Sequence, residues 1–102
     1  MQSHLNSAFR KCFAALPTEV KKAAIEDYRL WKRDHFANGL HFKPVNDKKP
    51  IYSVRAGLGW RALGARRGDV IVWYWIGSHG TYDRLIKNLD KKNTDNIQER
   101  MS

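Results

Sequence analysis

The period of the hydrophobic pattern changes at Gly39, and that change limits what the chain can fold into. Before it, apolar residues recur at helical spacing. Phe9, Cys12, Phe13 and Leu16 fall at i, i+3, i+4 and i+7, one stripe, with Asn6 or Ser7 placed to cap the helix. Pro17 and Thr18 close that helix and open a second one, whose Val20, Ala24, Tyr28 and Trp31 lie close to one face. Asn38-Gly39 ends it, and the short connection at Pro17 makes the pair an antiparallel hairpin. After Gly39 the period is 2. Strands are expected over residues 40–45, 51–56, 60–66 and 70–76, the last being the most β-prone stretch. Between them lie the turns Asn46-Asp47-Lys48-Lys49-Pro50, Gly57-Leu58-Gly59 and Arg67-Gly68-Asp69. Residues 77–80 read as a loop, after which Thr81 caps a short helix with Tyr82, Leu85, Ile86 and Leu89 on one side.

Segregated helices and strands predict an α+β fold: an N-terminal helix hairpin packed on a four-stranded antiparallel sheet, with a short C-terminal helix. The helices cover one face of the sheet and leave the other open. A chain of 102 residues makes one domain, assigned to residues 1–90, with 91–102 a polar, flexible tail in which only Ile97 and Met101 are apolar enough to dock. The apolar fraction of 42% builds one modest core and excludes wholesale disorder. The longest uncharged apolar run, residues 70–76, is far short of the roughly 20 residues a membrane-spanning helix needs. The first residues lack the apolar stretch of a signal peptide. Cys12, the single cysteine, forms no internal disulfide and builds no zinc site alone. The expectation is a cytoplasmic protein without membrane contact, metal or cofactor.

The charge is concentrated. Residues 41–68 carry Lys43, Lys48, Lys49, Arg55, Arg61, Arg66 and Arg67 against Asp47 alone, a balance of +6 out of the chain's +9. Such a segment suits a polyanion, either nucleic acid or an acidic protein, and serves equally as a solubilising surface.

The turn at Gly57-Leu58-Gly59 sets Arg55 opposite Arg61, on one face. Two like charges side by side are tolerated most easily with an anion between them; otherwise both splay into water at a cost of a few tenths to about 1 kcal/mol. With Arg67-Gly68 as a two-residue hairpin, Tyr74 joins Arg55 and Arg61, while Trp60, Ala62, Ile71, Trp73 and Trp75 form the core face. His79 follows the last strand, where functional groups are often presented, and imidazole is the side-chain type suited to proton transfer near neutral pH; the plain alternative is a histidine that satisfies the loop backbone. His4 and His41 have no companions at metal-ligand spacing, and His35 closes the second helix.

The strings Ile51-Tyr52-Ser53-Val54-Arg55, Gly59-Trp60-Arg61-Ala62-Leu63, the run from Val70 through Gly77-Ser78-His79, and Tyr82-Asp83-Arg84-Leu85 resemble the RelE/ParE superfamily of small bacterial toxins, over most of residues 8–89. The Gly-aromatic-Arg string is the most specific of them, and the Gly-Ser-His string resembles YafQ-like members. The resemblance implies the toxin of a type II toxin–antitoxin pair. In the RelE-like branch such a toxin is a metal-independent endonuclease cutting messenger RNA in the ribosome. In the ParE-like branch it is a DNA gyrase inhibitor without enzymatic activity. A degenerate RNA-binding or interaction module of the same fold is the third reading. The implied partners are an acidic antitoxin and ribosome-bound mRNA, or gyrase in its place. Carried over by position, Arg61 matches the family's strand arginine that contacts the scissile phosphate, and Arg55 matches a basic site on the preceding strand. His79 takes the position of a loop His or Arg, and Tyr82 resembles the aromatic residue that follows it. These four are the candidate catalytic residues, with Lys43, Lys48, Lys49, Arg66 and Tyr74 the candidate RNA contacts. Ser53 stands where RelE has a lysine, and residues 2–5 either supply a short edge strand or leave the sheet without one.

Overall fold

The computed structural model describes residues 1–88. The expected helical Leu89 and the expected tail at 91–102 lie outside them. In chain order the elements are β1 (Gln2–Leu5), α1 (Ser7–Ala14), α2 (Thr18–Arg33), β2 (Lys43–Pro44), β3 (Ile51–Arg55), β4 (Trp60–Arg67) and β5 (Val70–Ser78). Then comes α3, helical over residues 79–88.

The strands form one sheet in the order β1-β5-β4-β3-β2. β2, β3, β4 and β5 pair antiparallel. β1 adds a fifth strand, parallel to β5, with Gln2 opposite Val70 and Leu5 opposite Trp73. The sheet is therefore mixed, which corrects the four-stranded antiparallel expectation. So short a segment carries no visible periodicity, and it is the unpaired edge of the long, β-prone β5 that recruits it.

Asn6 caps α1, its Oδ1 accepting from Phe9 N at 2.9 Å. α2 starts after Pro17 but stops at Arg33 rather than at Asn38-Gly39. Asp34 is extended there (φ −151, ψ 101), and His35 Nδ1 donates back to the Trp31 carbonyl at 2.7 Å. Gly39 does take the left-handed backbone (φ +88), and a Cβ there would sit 3.1 Å from Arg55 Nη1. Its role is to let that guanidinium pass. The strand expected over 40–45 shrinks to Lys43–Pro44. His41 is left-handed (φ 51), and Pro44 has no N–H to offer, which suits only an edge.

The core lies between the helices and one face of the sheet. Trp31 packs edge-on against Trp73 and Phe42, with ring centroids 5.4 Å away in both cases. Leu40, Ile71, Val54, Ala62 and Ile76 join it, as do Phe9, Leu16, Ala24 and Ala56. Between Leu63 and Gly64 the β4–β5 register shifts: Leu63 faces Trp75 and Gly64 faces Trp73, so Tyr74 is an extra residue in a β-bulge. The turn is also one residue later than expected, with Arg67 opposite Val70. Together these shifts set Arg61 opposite Gly77 rather than Tyr74. Trp73 and Ile76 stay with the core, whereas Trp75 pairs with Leu63, which faces Ser53 on the other side of the sheet. The expected shared face for Trp73 and Trp75 is thereby corrected, as is the direct opposition of Arg61 and Tyr74.

Residues 77–80 are not a loop. β5 runs through Ser78, and Ser78, not Thr81, caps α3, its Oγ accepting from Thr81 N at 3.3 Å. The face away from α1 and α2 is not fully open either, because Tyr82 of α3 is buried against it. Among the described residues no helix is long and apolar enough to cross a membrane.

Candidate functional site

Arg61, the second residue of β4, projects from the sheet face opposite the Trp31–Trp73 core and is only 7% exposed. Its Nη2 donates to the fully buried Ser53 Oγ at 2.7 Å and to the His41 carbonyl at 3.1 Å. The left-handed backbone at His41 belongs to the bend just before β2, from which that carbonyl reaches the guanidinium. Tyr82 OH donates to the same Ser53 Oγ at 3.1 Å, and its ring centroid lies 5.3 Å from the Arg61 guanidinium carbon. Arg61 Nε is buried with no partner among the described residues. The guanidinium is thus held by neutral groups only. Burial pushes its pKa below the usual arginine value, the nearby Arg55 acts in the same direction, and Tyr82 opposes them.

Arg55 does oppose Arg61 across β3 and β4, but no bound anion is needed to reconcile them. Arg55 Nε and Nη2 each donate to an Asp27 carboxylate oxygen at 3.1 Å, a bidentate pair, and Asp27 Oδ2 also accepts from Gly57 N at 2.8 Å. The carboxylate comes from α2, 28 residues away, so nothing local in the sequence announces it. Arg55 is accordingly an occupied cation that anchors the Gly57-Leu58-Gly59 turn. Arg61 is the unoccupied one.

His79 opens α3. Its backbone N donates to the Gly59 carbonyl at 2.9 Å, which ties it to that same turn. Its ring, half-exposed, lies 5.6 Å from the Tyr82 ring, and Nδ1 is 3.2 Å from Asp83 Oδ2. Asp83 is a site residue that sequence reasoning misses. The i, i+4 spacing of His79 and Asp83 is the signal that shows it, once residues 77–80 are taken as helix entry. Ser53 is missed as well: in the sequence it is a departure from a family lysine, and in the fold it is the oxygen shared by Arg61 and Tyr82.

Of the expected RNA contacts, Lys43 on β2 opposes Ser53 and is exposed. Lys48 and Lys49 sit in a turn whose backbone N–H groups donate to Asn46 Oδ1, both at 2.9 Å. Arg66 lies on the other face, its guanidinium 5.3 Å from the Tyr52 ring centroid. Tyr74 sits at the bulge, and burial raises its phenol pKa. The structure therefore brings Arg61, Tyr82 and His79 together, sets Lys43 beside them, and places Lys49 and Arg66 round Tyr52 instead. Among the described residues no group of three His, Cys, Asp or Glu is placed to hold a metal.

A half-exposed imidazole 3.2 Å from a carboxylate stands one aromatic ring away from a buried guanidinium that has no carboxylate partner among the described residues, a set of groups suited in chemical type to anion binding and proton transfer. The model of the ParE-like toxin domain matches residues 18–84, and the chain belongs to that family, within the RelE/ParE toxin superfamily. Solved structures agree in fold. The RelBE2 toxin–antitoxin complex of Mycobacterium tuberculosis superposes with a TM-score of 0.61 at 17% identity, covering 76% of this chain and 96% of that one. The RelB–RelE antitoxin–toxin complex of Methanococcus jannaschii gives 0.62 at 18%, over 79% and 96%. The YoeB/ParE toxin of Agrobacterium tumefaciens gives 0.59 at 14%, over 78% and 99%. No curated protein matches the chain.

Proposed function

We propose that this toxin cleaves messenger RNA on the ribosome and is held in check by an acidic antitoxin. The observation that carries the reading is the unbroken series from His79 through the Tyr82 ring to the Arg61 guanidinium, at 5.6 and 5.3 Å. Cleavage by the RNA's own 2′-hydroxyl needs a proton removed from that oxygen, a cation for the charge growing on the phosphorus oxygens, and a proton delivered to the departing 5′-oxygen. A neutral imidazole with Nδ1 3.2 Å from Asp83 Oδ2 can take the first proton on its lone-pair nitrogen and supply the second. The P–O5′ bond breaks as the O2′–P bond forms, giving a cyclic phosphate and a 5′-hydroxyl. Arg61, preorganised by Ser53, His41 and Tyr82, stabilises the five-coordinate phosphorus between them. Arg55 supports this geometry through the Asp27 anchor rather than by touching phosphate. The solved relatives' antitoxin complexes support the antitoxin partner.

The family description also fits a gyrase inhibitor, which has no use for an oriented imidazole. The test separates the two. Ribosomes programmed with a defined mRNA are incubated with the protein and the message is read by primer extension. Wild type cuts the mRNA; His79→Ala slows cutting by about 10²-fold or more with an unchanged melting temperature, and Arg61→Lys slows it beyond what its folded fraction, read by thermal melting, accounts for. Intact message, with growth arrest accompanied by DNA-damage signalling, overturns the nuclease reading in favour of gyrase.

A further inference from the structure

We propose that a cleft built on Tyr52, at the end of β4 away from Arg61, is an anchoring site for the single-stranded RNA whose cleavage is proposed above. It rests on that reading. The cleft has a volume of about 360 Å³, and among its lining residues are Pro44, Lys49, Pro50, Tyr52 and Arg66, with Asp47 the single carboxylate. It is built, not merely exposed. Tyr52 is backed by the buried Phe42, ring centroids 5.1 Å apart, and Phe42 is met in turn by Phe36, which is 71% exposed. In front of Tyr52, Arg66 is held in place: Nε donates to the Gly68 carbonyl at 3.0 Å, Nη1 to Tyr52 OH at 3.4 Å, and its backbone N to the Pro50 carbonyl at 2.8 Å. Lys49, whose backbone N donates to Asn46 Oδ1 at 2.9 Å, also lines the cleft. Neither Arg66 nor Lys49 has a carboxylate within ion-pair distance among the described residues.

A guanidinium laid over an aromatic ring, with two prolines and a second cation beside it, fits a base stacked on the Arg66–Tyr52 pair and its phosphate. The connection to Arg61 lies in β2, an edge strand of only two residues. Lys43 opposes Ser53, which bonds Arg61, while the next residue, Pro44, opposes Tyr52. Alternation of side chains puts Lys43 on the Arg61 face and Pro44 on the Tyr52 face. Arg61 and Arg66 are five residues apart on β4, about 17 Å at roughly 3.3 Å per residue. A strand held at Arg61 therefore crosses Lys43, turns round the sheet edge and seats a nucleotide a few positions along against Tyr52. A single strand makes that turn; a stiff duplex does not.

Two measurements test this. Anisotropy of a fluorescein-labelled ten-residue oligouridylate, with free protein over a salt series, is expected to show about tenfold weaker binding for Tyr52→Leu and for Lys49→Gln plus Arg66→Gln. The latter pair also flattens the dependence of log K on log salt by about 0.7 per lost phosphate contact. In the ribosome assay the same variants raise KM about tenfold and leave kcat unchanged, as removal of uniform binding away from the reacting atoms requires. Lys49→Gln alone keeps the backbone bond to Asn46 and is the control for folding defects, checked by its melting temperature. Unchanged affinity and KM with wild-type cleavage intact overturns the anchoring site alone, as does a fall in kcat at constant KM. A wild type that cuts no mRNA removes the nuclease reading, and this site with it.

Discussion

Arg55 and Arg61 stand side by side across β3 and β4, and each meets the problem of like charge differently. Arg55 turns to the Asp27 carboxylate on α2, and Arg61 is buried among neutral oxygens and an aromatic ring. Their opposition is legible from the spacing around Gly57-Leu58-Gly59; its resolution is not, because the carboxylate is 28 residues away and depends on how α2 seats on the sheet. Ser53 shows the same limit, since its importance lies in two partners from β4 and α3 that no local pattern joins. The Asp27 anchor gives a prediction at this scale. Asp27→Asn removes the charge that neutralises Arg55 and weakens two charge-assisted bonds, each a class that contributes about 1.5–3 kcal/mol. With Arg55 still one-third exposed, the expected loss is nearer the low end, about 1–2 kcal/mol in urea unfolding. The Gly57 turn also holds His79 through Gly59, so the variant is expected to lose cleavage rate beyond what its unfolded fraction explains. A variant as stable and as active as wild type would show that the anchor does neither.

The elements are legible where their periodicity is long and lost where one residue changes the count. α1, the start of α2, β3 and β4 fall close to their expected places, because each carries its own pattern and its own turn residues. The faces of β5 do not follow, because the bulge at Tyr74 inverts every assignment beyond it. Gly64 is the residue that permits this. A Cβ there would lie 2.7 Å from Trp73 Cε3 and 2.9 Å from two Ile71 side-chain carbons. Replacing a strand glycine with alanine ordinarily gains about 0.5–1 kcal/mol through the unfolded chain. Here the two side chains it would meet are buried, Ile71 at 0% and Trp73 at 2% exposure, and overpacking of this kind costs about 1–3 kcal/mol. The clash outweighs the entropic gain, so Gly64→Ala is expected to destabilise, read as a lower urea midpoint at constant m-value. A raised midpoint would mean that the bulge region tolerates the methyl group and that glycine is there for another reason. Trp75 makes the complementary demand on Gly77, its ring occupying the place a Cβ would take beside Arg61.

For the whole molecule, the sequence shows that positive charge gathers in the middle third, but only the fold shows which of those charges are free. Arg55 is spent on Asp27. Lys43 and Arg61 occupy the face that α3 reaches, and Lys49 and Arg66 line the cleft round the edge of β2. An acidic antitoxin segment that masks the protein would therefore neutralise Lys43, Lys48, Lys49, Arg61 and Arg66 and leave Arg55 alone. It would occupy the path proposed for RNA. Association built on these charges is steered electrostatically and slows as salt rises, and RNA binding weakens with salt by counterion release. Two partners that use one charged surface exclude each other. Ribosome binding is thus expected to fall in proportion to antitoxin occupancy at every salt concentration, and Arg55→Gln is expected to change antitoxin affinity less than Lys43→Gln does. Sedimentation of the protein with ribosomes, with and without its antitoxin across a salt series, reads both outcomes. Simultaneous full-strength binding of the two partners, or association indifferent to salt, would reduce the basic middle third to a solubilising surface.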